Sequence, residues 1–215
     1  MKVLSIQILA IEQPHKPPAV PLAQASDLSS FSFLQRGSIG EFLNFFSKTV
    51  AERTSSGQRQ SVQENNYLAH SYFKSNDNLV GILISDEEYP VRVAFSLLNK
   101  ILDEFAVKVP QSKWKSINFQ SASSSGSNNL VGSIGFNNSL NEYLVKYQDP
   151  KQADTILKVQ QELDETKIVL HKTIESVLER GEKLDSLVER SNALSSQSKM
   201  FYKTAKKQNS CCLIA

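Results

Sequence analysis

ILKVQQELDETKIVLHKTIESVLERGEKLDSLVERSNALSSQSKMFYKTAKKQ, residues 156–208, decides how the rest of the chain is read. Alternating steps of three and four residues from Ile156 land on Val159, Leu163, Thr166, Leu170, Thr173, Val177, Arg180, Leu184, Leu187, Ser191, Leu194, Ser198, Phe201, Ala205 and Gln208, the spacing of a heptad seam. Ten of these 16 positions are apolar and only Arg180 is charged, although 18 of the 53 residues in the stretch are Asp, Glu, Lys or Arg. Chance placement puts about five charges on such a row. The pattern predicts one helix about 80 Å long at 1.5 Å per residue, with no surface of its own against which to bury the row. It needs partner helices. An arginine in that row costs on the order of several kcal/mol unless its guanidinium meets acceptors, so the partners are expected to bring oxygens to the level of Arg180.

Val177-Leu178-Glu179-Arg180-Gly181-Glu182-Lys183-Leu184, followed by the small residues Ser191 and Ser198 and then Phe201, resembles the motif of an arginine-type (R-) SNARE. The resemblance implies that Arg180 forms the ionic layer of a four-helix membrane-fusion bundle, facing glutamines from three Gln-SNARE helices. The plainer reading is a coiled-coil segment whose arginine snorkels out of the seam. Gly181 costs about 1 kcal/mol relative to Ala in a helix, as expected of a segment that is helical mainly when partnered.

The last four residues, Cys212-Leu213-Ile214-Ala215, fit the prenylation signature of a cysteine, two aliphatic residues and a terminal residue, and the final Ala favours farnesyl. Cys211 beside it is a candidate for palmitoylation. One lipid chain anchors marginally, at roughly 0.8 kcal/mol per buried CH₂, and two signals are needed for stable attachment. Lys199, Lys203, Lys206 and Lys207 add about 1 kcal/mol each where they reach an anionic surface, and are otherwise a solvated helix end. No other cysteine exists, which excludes an internal disulfide framework and a four-cysteine zinc site.

The preceding residues alternate short apolar runs with amphipathic stretches. Val3 to Ile11 reads as a buried strand, and Ala19 to Ala23 as its hairpin partner, confined by Pro21 to an edge or bulge. Ser38-Ile39-Gly40-Glu41 fits a capping box opening a helix to Arg53, whose stripe Ile39, Leu43, Phe46 and Val50 faces a sheet. Phe42 and Phe45 fall roughly 70° and 130° off that stripe: either another part of the same domain covers them, or they mark a candidate groove for the SNARE helix or a lipid chain. Arg59 to Glu64, Tyr67 to Lys74 and Leu79 to Ser85 read as a three-strand meander with a turn at Ser75-Asn76-Asp77-Asn78. A helix with Val91, Phe95, Leu98, Leu102 and Phe105 in one row follows, thickened by Leu97 and Ile101 and stopped at Val109-Pro110. Ser121 to Asn129 reads as a loop, and a third helix is expected from Ser139, with Glu142 as its capping partner, until Asp149-Pro150.

This order, with Gly57-Gln58-Arg59-Gln60-Ser61, Tyr89-Pro90-Val91-Arg92 and Leu97-Leu98-Asn99-Lys100-Ile101-Leu102-Asp103-Glu104, resembles the longin domain that precedes some R-SNARE motifs. The Ser121 to Asn129 loop looks longer than that family usually carries. With the two tail cysteines in place of a membrane-spanning helix, the whole chain resembles the prenylated longin R-SNAREs that cycle between cytosol and Golgi, endosomal and vacuolar membranes. That resemblance implies a cytosolic form in which the longin domain folds back on the SNARE motif and the farnesyl group, with Phe42 and Phe45 in the groove.

The expected fold class is therefore α+β: a profilin-like longin domain, an antiparallel sheet with flanking helices, followed by a long coiled-coil SNARE helix. The expected division is 1–148 longin domain, 149–153 linker, 154–208 R-SNARE motif and 209–215 lipidated tail. With 24 basic and 22 acidic residues the net charge is +2, so no long-range field draws the whole protein to nucleic acid, and any membrane attraction is local. No apolar run of 18 residues and no secretory signal pattern occur, so a cytosolic chain is expected, and the resemblance implies peripheral attachment to the cytosolic face of its membranes, the endoplasmic reticulum included. No catalytic or metal constellation forms around His15, His70 or His171, and the glycines at 126, 132 and 135 lack the Lys-Ser/Thr ending of a phosphate loop. No cofactor is expected beyond covalent farnesyl and palmitoyl lipids. The expected partners are three Gln-SNARE helices, the membrane surface through the lipids, and the chain's own longin domain in its closed form. The alternatives are a lipid-anchored coiled-coil tether without fusion activity and a prenylated enzyme of the small-GTPase kind, against which the missing phosphate loop argues.

Overall fold

The computed structural model describes residues 2–11, 18–115, 134–150, 168–171 and 173–210. The predicted strands form: β1 (Val3–Ala10), β2 (Val20–Ser26), β3 (Arg59–Glu64), β4 (Tyr67–Lys74) and β5 (Leu79–Asp86). They hydrogen-bond in the order β2-β1-β5-β4-β3, every neighbour antiparallel. Pro21 sits opposite Leu9, where the β1/β2 register shifts, on an edge strand that requires no donor from its outer side. The 75–78 turn is a single 3-10 turn closed by Asn78 in the left-handed conformation, which asparagine tolerates.

Two apolar layers lie on opposite faces of this sheet. One is covered by α2 (Val91–Lys108), by the short α3 (Ser112–Lys115) that the sequence reading omits, and by α4 (Asn137–Lys146). Leu97, Leu98, Ile101, Leu102 and Phe105 are all fully buried there, as both predicted rows of α2 require. Gly81 lets α2 approach β5 closely, because a Cβ at that position meets Leu98 at 3.0 Å and Leu102 at 3.3 Å. The other face carries α1 (Phe33–Glu52), with Ile39, Leu43, Phe46 and Val50 buried against it.

Two capping boxes do not form. α1 begins six residues before Ile39, with Ser32 at its N-cap and Ser38 buried inside the helix. Glu41 is spent on a contact from elsewhere in the chain. α4 begins at Asn137 with Phe136 before it and no side-chain cap, while Asn137 accepts the Gln24 N–H at 3.0 Å. Both helices start upstream of the predicted serines, and Glu41 accepts from Ser195 and Ser198 instead.

The larger correction concerns residues 168–210. They are not one helix. Ile168–His171 is a strand, β6, paired parallel to β3 at the sheet edge with Arg59 opposite Ile168 and Val62 opposite His171. A 3-10 turn (Ile174–Ser176), α5 (Leu184–Arg190) and α6 (Ser196–Ser210) follow. Gly181 stands at φ +89°, a conformation outside any helix. The physical reason is the one that makes the seam need partners: without other helices, the apolar residues are buried on the surface the chain itself provides, beside α1 and along β3.

Candidate functional site

The face of α1 and the segment that lies on it bring together most of the singled-out residues. Phe42 and Phe45 point off the sheet-facing stripe and pack, half-buried, at the border of the cluster that also holds Ile174, Leu184, Val188, Leu194 and Tyr202. The Phe42 ring stacks on Tyr202, centroids 5.2 Å apart, and on Phe46 at 6.0 Å, and is tilted against Phe45 at 6.3 Å. Such pairs are each worth about 0.5–1.5 kcal/mol beyond burial. The groove predicted at these phenylalanines is occupied by the carboxy-terminal segment.

Polar contacts fix the register. Glu41 accepts the Ser195 N–H at 2.9 Å and the Ser198 hydroxyl at 2.6 Å, so a carboxylate from α1 caps the first turn of α6. Burial pushes the Glu41 carboxyl up, and the bonds from Ser198 and Ser195 outweigh it and hold it below its ordinary value. Arg53, just past α1, pairs with Glu182 at 2.9 Å, and that contact lowers the Glu182 carboxyl. Asp185 takes Lys206 on both oxygens at 2.7 Å and the Tyr202 hydroxyl at 2.8 Å, which lower it in that order. Glu64, at the end of β3, is pushed up to about 7 by burial, with Glu175 adding to the shift.

The seam divides in this arrangement. Leu184, Leu194 and Ser198 are buried; Val177, Leu187, Ser191, Phe201 and Ala205 are half-buried; Leu170, Thr173 and Arg180 are exposed. Gln208 lies in α6. Arg180 stands on the wall of an open depression shared with Glu179, Gly181, Glu182, Asp185, Ser186, Glu189 and Arg190, on the solvent side of the segment. Ile156, Val159, Leu163 and Thr166, together with Cys211, Cys212, His15 and the 121–129 loop, lie outside the described residues. His171 ends β6, and His70 is buried between the Ser61 and Ser85 hydroxyls with its ring edge-on to Phe95. Burial pulls His70 down to about 4, which keeps it neutral.

Sequence reasoning missed Ile174, Leu178, Val188 and Tyr202, each one residue beyond a seam position, and the polar partners Glu41, Arg53, Glu182 and Asp185. A signal was present for the first set: four apolar residues adjoining the seam at Thr173, Val177, Leu187 and Phe201 make a second row that a two-faced helix does not need.

Residues 28–128 match the longin family model, described as a Regulated-SNARE-like domain, and residues 155–214 match the synaptobrevin family model. A synaptobrevin homolog ykt6 of Schizosaccharomyces pombe is 60% identical over the whole of both chains. The chain belongs to the longin-type R-SNAREs. The YKT6 synaptobrevin homologs of Debaryomyces hansenii and Saccharomyces cerevisiae are each 54% identical, the first over all of both chains and the second over 91% of this chain and 92% of its own. As an R-SNARE the protein acts in vesicle transport with SNARE partners, at membranes. Phe42 and Phe45 fall inside the longin match, and Arg180 with the whole seam inside the synaptobrevin match. Neither matched family is an enzyme family. No described helix of this R-SNARE is long and apolar enough to cross a membrane.

Proposed function

We propose that this R-SNARE drives membrane fusion by zippering residues 156–208 with three Gln-SNARE helices, Arg180 supplying the ionic layer, and that its longin domain restrains it until partners arrive. One observation carries the second half of this reading. Leu184, Leu194 and Ser198 are buried against the longin domain, and the same three side chains belong to the seam that a four-helix bundle encloses. The two states are mutually exclusive at those positions. Each α5–α6 contact made on the longin domain must be broken before the seam at that level can be shared.

Farnesyl on Cys212 and palmitoyl on Cys211 anchor the protein to the cytosolic face of Golgi, endoplasmic reticulum, endosomal and vacuolar membranes, and transmit the pull of zippering to the bilayer. The tail signature and the two cysteines support this part. A lipid-anchored tether without fusion activity shares the anchor but has no use for Arg180.

The test mixes the full chain with three purified Gln-SNARE motifs and follows helicity by circular dichroism. Wild type is expected to gain helix slowly, and Phe42→Glu, which places a carboxylate against the Tyr202 ring, faster. No gain on mixing refutes bundle formation; equal rates for the two proteins refute restraint by the longin domain. Exchange of Arg180 for leucine should leave assembly with non-SNARE helices unaffected but lower the yield with glutamine partners.

A further inference from the structure

Residues 190–215 contain Arg190, Lys199, Lys203, Lys206 and Lys207 and not one Asp or Glu, so this last stretch carries five of the protein's basic side chains against an overall net charge of only +2. We propose that folding back masks this basic stretch with acids from α5, and that straightening the segment exposes it as a docking surface for anionic bilayer lipid. The inference rests on the folded-back reading above and extends it to the membrane.

In the structure α5 and α6 form an antiparallel hairpin, and the lysines are met along it. Lys206 contacts both Asp185 oxygens at 2.7 Å. Lys203 pairs with Glu189, and Lys199 donates to the Glu189 carbonyl at 2.7 Å. These contacts depend on the hairpin. In one continuous helix Glu189 and Lys203 stand about 21 Å apart along the axis, and Asp185 and Lys206 about 32 Å, far beyond ion-pair reach. Every one of these contacts is lost when the segment straightens.

Straightening also aligns the charges. Lys199, Lys203 and Lys206 are spaced by four and three residues and share one face, roughly 90° or more from the seam residues Ser198, Phe201 and Ala205. A bundle that buries the seam leaves them outward. They lie within about four turns of Cys211, next to any bilayer the tail reaches. Clustered lysines beside a lipidated end are attracted to anionic leaflets within about a Debye length, and compensation by neighbouring carboxylates removes that attraction. The lipid then has a second, electrostatic anchor that acts only in the straightened protein.

The experiment uses the full chain with Cys211 and Cys212 both changed to Ser, so that no lipid contributes, and measures co-sedimentation with phosphatidylcholine vesicles with and without phosphatidylserine. Asp185→Asn with Glu189→Gln is expected to raise partitioning onto the anionic vesicles by about thirtyfold, the scale of two lysines gaining a charged surface. Neutral vesicles should not respond, and added Lys203→Gln with Lys206→Gln should return the protein to the wild-type level. Asp103→Asn with Glu104→Gln removes two acids of α2, paired with Lys74 of β4 and Lys108 of α2, and controls for bulk charge. An equal rise in that control, a rise on neutral vesicles, or a rise that survives loss of the two lysines overturns the proposal. Phe42→Glu separates the two readings. If hydrogen exchange at β6 shows that it opens, it must also gain anionic-vesicle binding, and opening without that gain overturns masking. If it does not open, the folded-back restraint fails, while the Asp185 and Glu189 result still decides the lipid surface.

Discussion

Gly181→Ala tests the two-state reading at one backbone position. In the folded-back form Gly181 has φ +89° and a Cβ there meets nothing within 4 Å, so the added methyl clashes only with its own backbone. Holding alanine in the left-handed region costs about 1 kcal/mol. In the continuous helix that the seam predicts, the same change gains about 1 kcal/mol of helix propensity. Relative to an opened, unstructured segment the folded-back form therefore loses about fivefold in population, and relative to a helical bundle about thirtyfold, at 1.36 kcal/mol per factor of ten. Hydrogen exchange at Ile168–His171 reads the first quantity, because these amides are protected only while β6 pairs with β3. Assembly rate with Gln-SNARE motifs reads the second. Gly37→Ala is the control: Gly37 is exposed inside α1 and a Cβ there also meets nothing. It should stabilise α1 by about 0.5–1 kcal/mol and leave β6 exchange unchanged. Slower exchange at β6 in Gly181→Ala, or faster exchange in Gly37→Ala, refutes the reasoning.

Phe42→Ala removes the stack on Tyr202 and part of a buried ring, and is expected to weaken folding back by about 2 kcal/mol, read as faster β6 exchange without a matching fall in longin-domain melting temperature. Arg53→Ala breaks the ion pair to Glu182, whose partners are 16% and 25% exposed, and should cost about 1 kcal/mol, with a double-mutant cycle against Glu182→Gln returning the coupling. Val188→Ser and Leu187→Ser separate the two states: the first should open the folded-back form by about 2 kcal/mol and spare bundle melting, and the second should lower bundle melting with the smaller effect on opening. Acidification should favour folding back between pH 8 and 5. Burial raises Glu64 from 4.5 to about 7, so its penalty is absent below about 4.5, accrues towards 7 and is complete above it, worth about 1 kcal/mol once solvent screening is allowed for. In more acid solution the stabilisation from the lowered carboxylates of Asp185 and Glu182 is lost as they take up protons and the form weakens again, so energy transfer between dyes on α1 and α6 should pass through a maximum on the acid side of neutrality.

The longin sheet and its main helices were legible because each element carries a full local signal. β1 and β5 are largely apolar runs beside turn residues, β3 and β4 sit between turns although β3 has only Val62 as an apolar residue, and α2 repeats its buried row before a proline. Helix starts were less legible. Phe33 and Leu34 are helical although 83% and 81% exposed, and an apolar pair with no buried face gives no periodic sign of a helix. β6 was hidden for another reason. Ile168-Val169-Leu170 has strand-forming residues, yet Leu170 also falls on the seam, and the longer pattern outweighs a run of three. Glu41, Arg53 and Asp185 were invisible as latches because their partners are 17 or more residues away, beyond any window of local spacing.

The hidden part follows from a sequence that must satisfy two structures. A helix made for one bundle needs one apolar row; residues 170–205 carry two, the seam and the row of Ile174, Leu178, Val188 and Tyr202 beside it. Folding back buries Ile174, Val188 and Tyr202 of the second row, half-buries Leu178, and borrows Leu184, Leu194 and Ser198 from the first. Leu170, Thr173 and Arg180 stay in solvent. Arg180 thus avoids the desolvation that burial on an apolar longin face imposes, a cost that only partner oxygens in a bundle offset. The arginine selects between the states by what it cannot tolerate: any fold-back that buried the whole seam would bury an unpaired guanidinium. A second row, offset by one residue, lets the longin domain hold the segment without asking that of it.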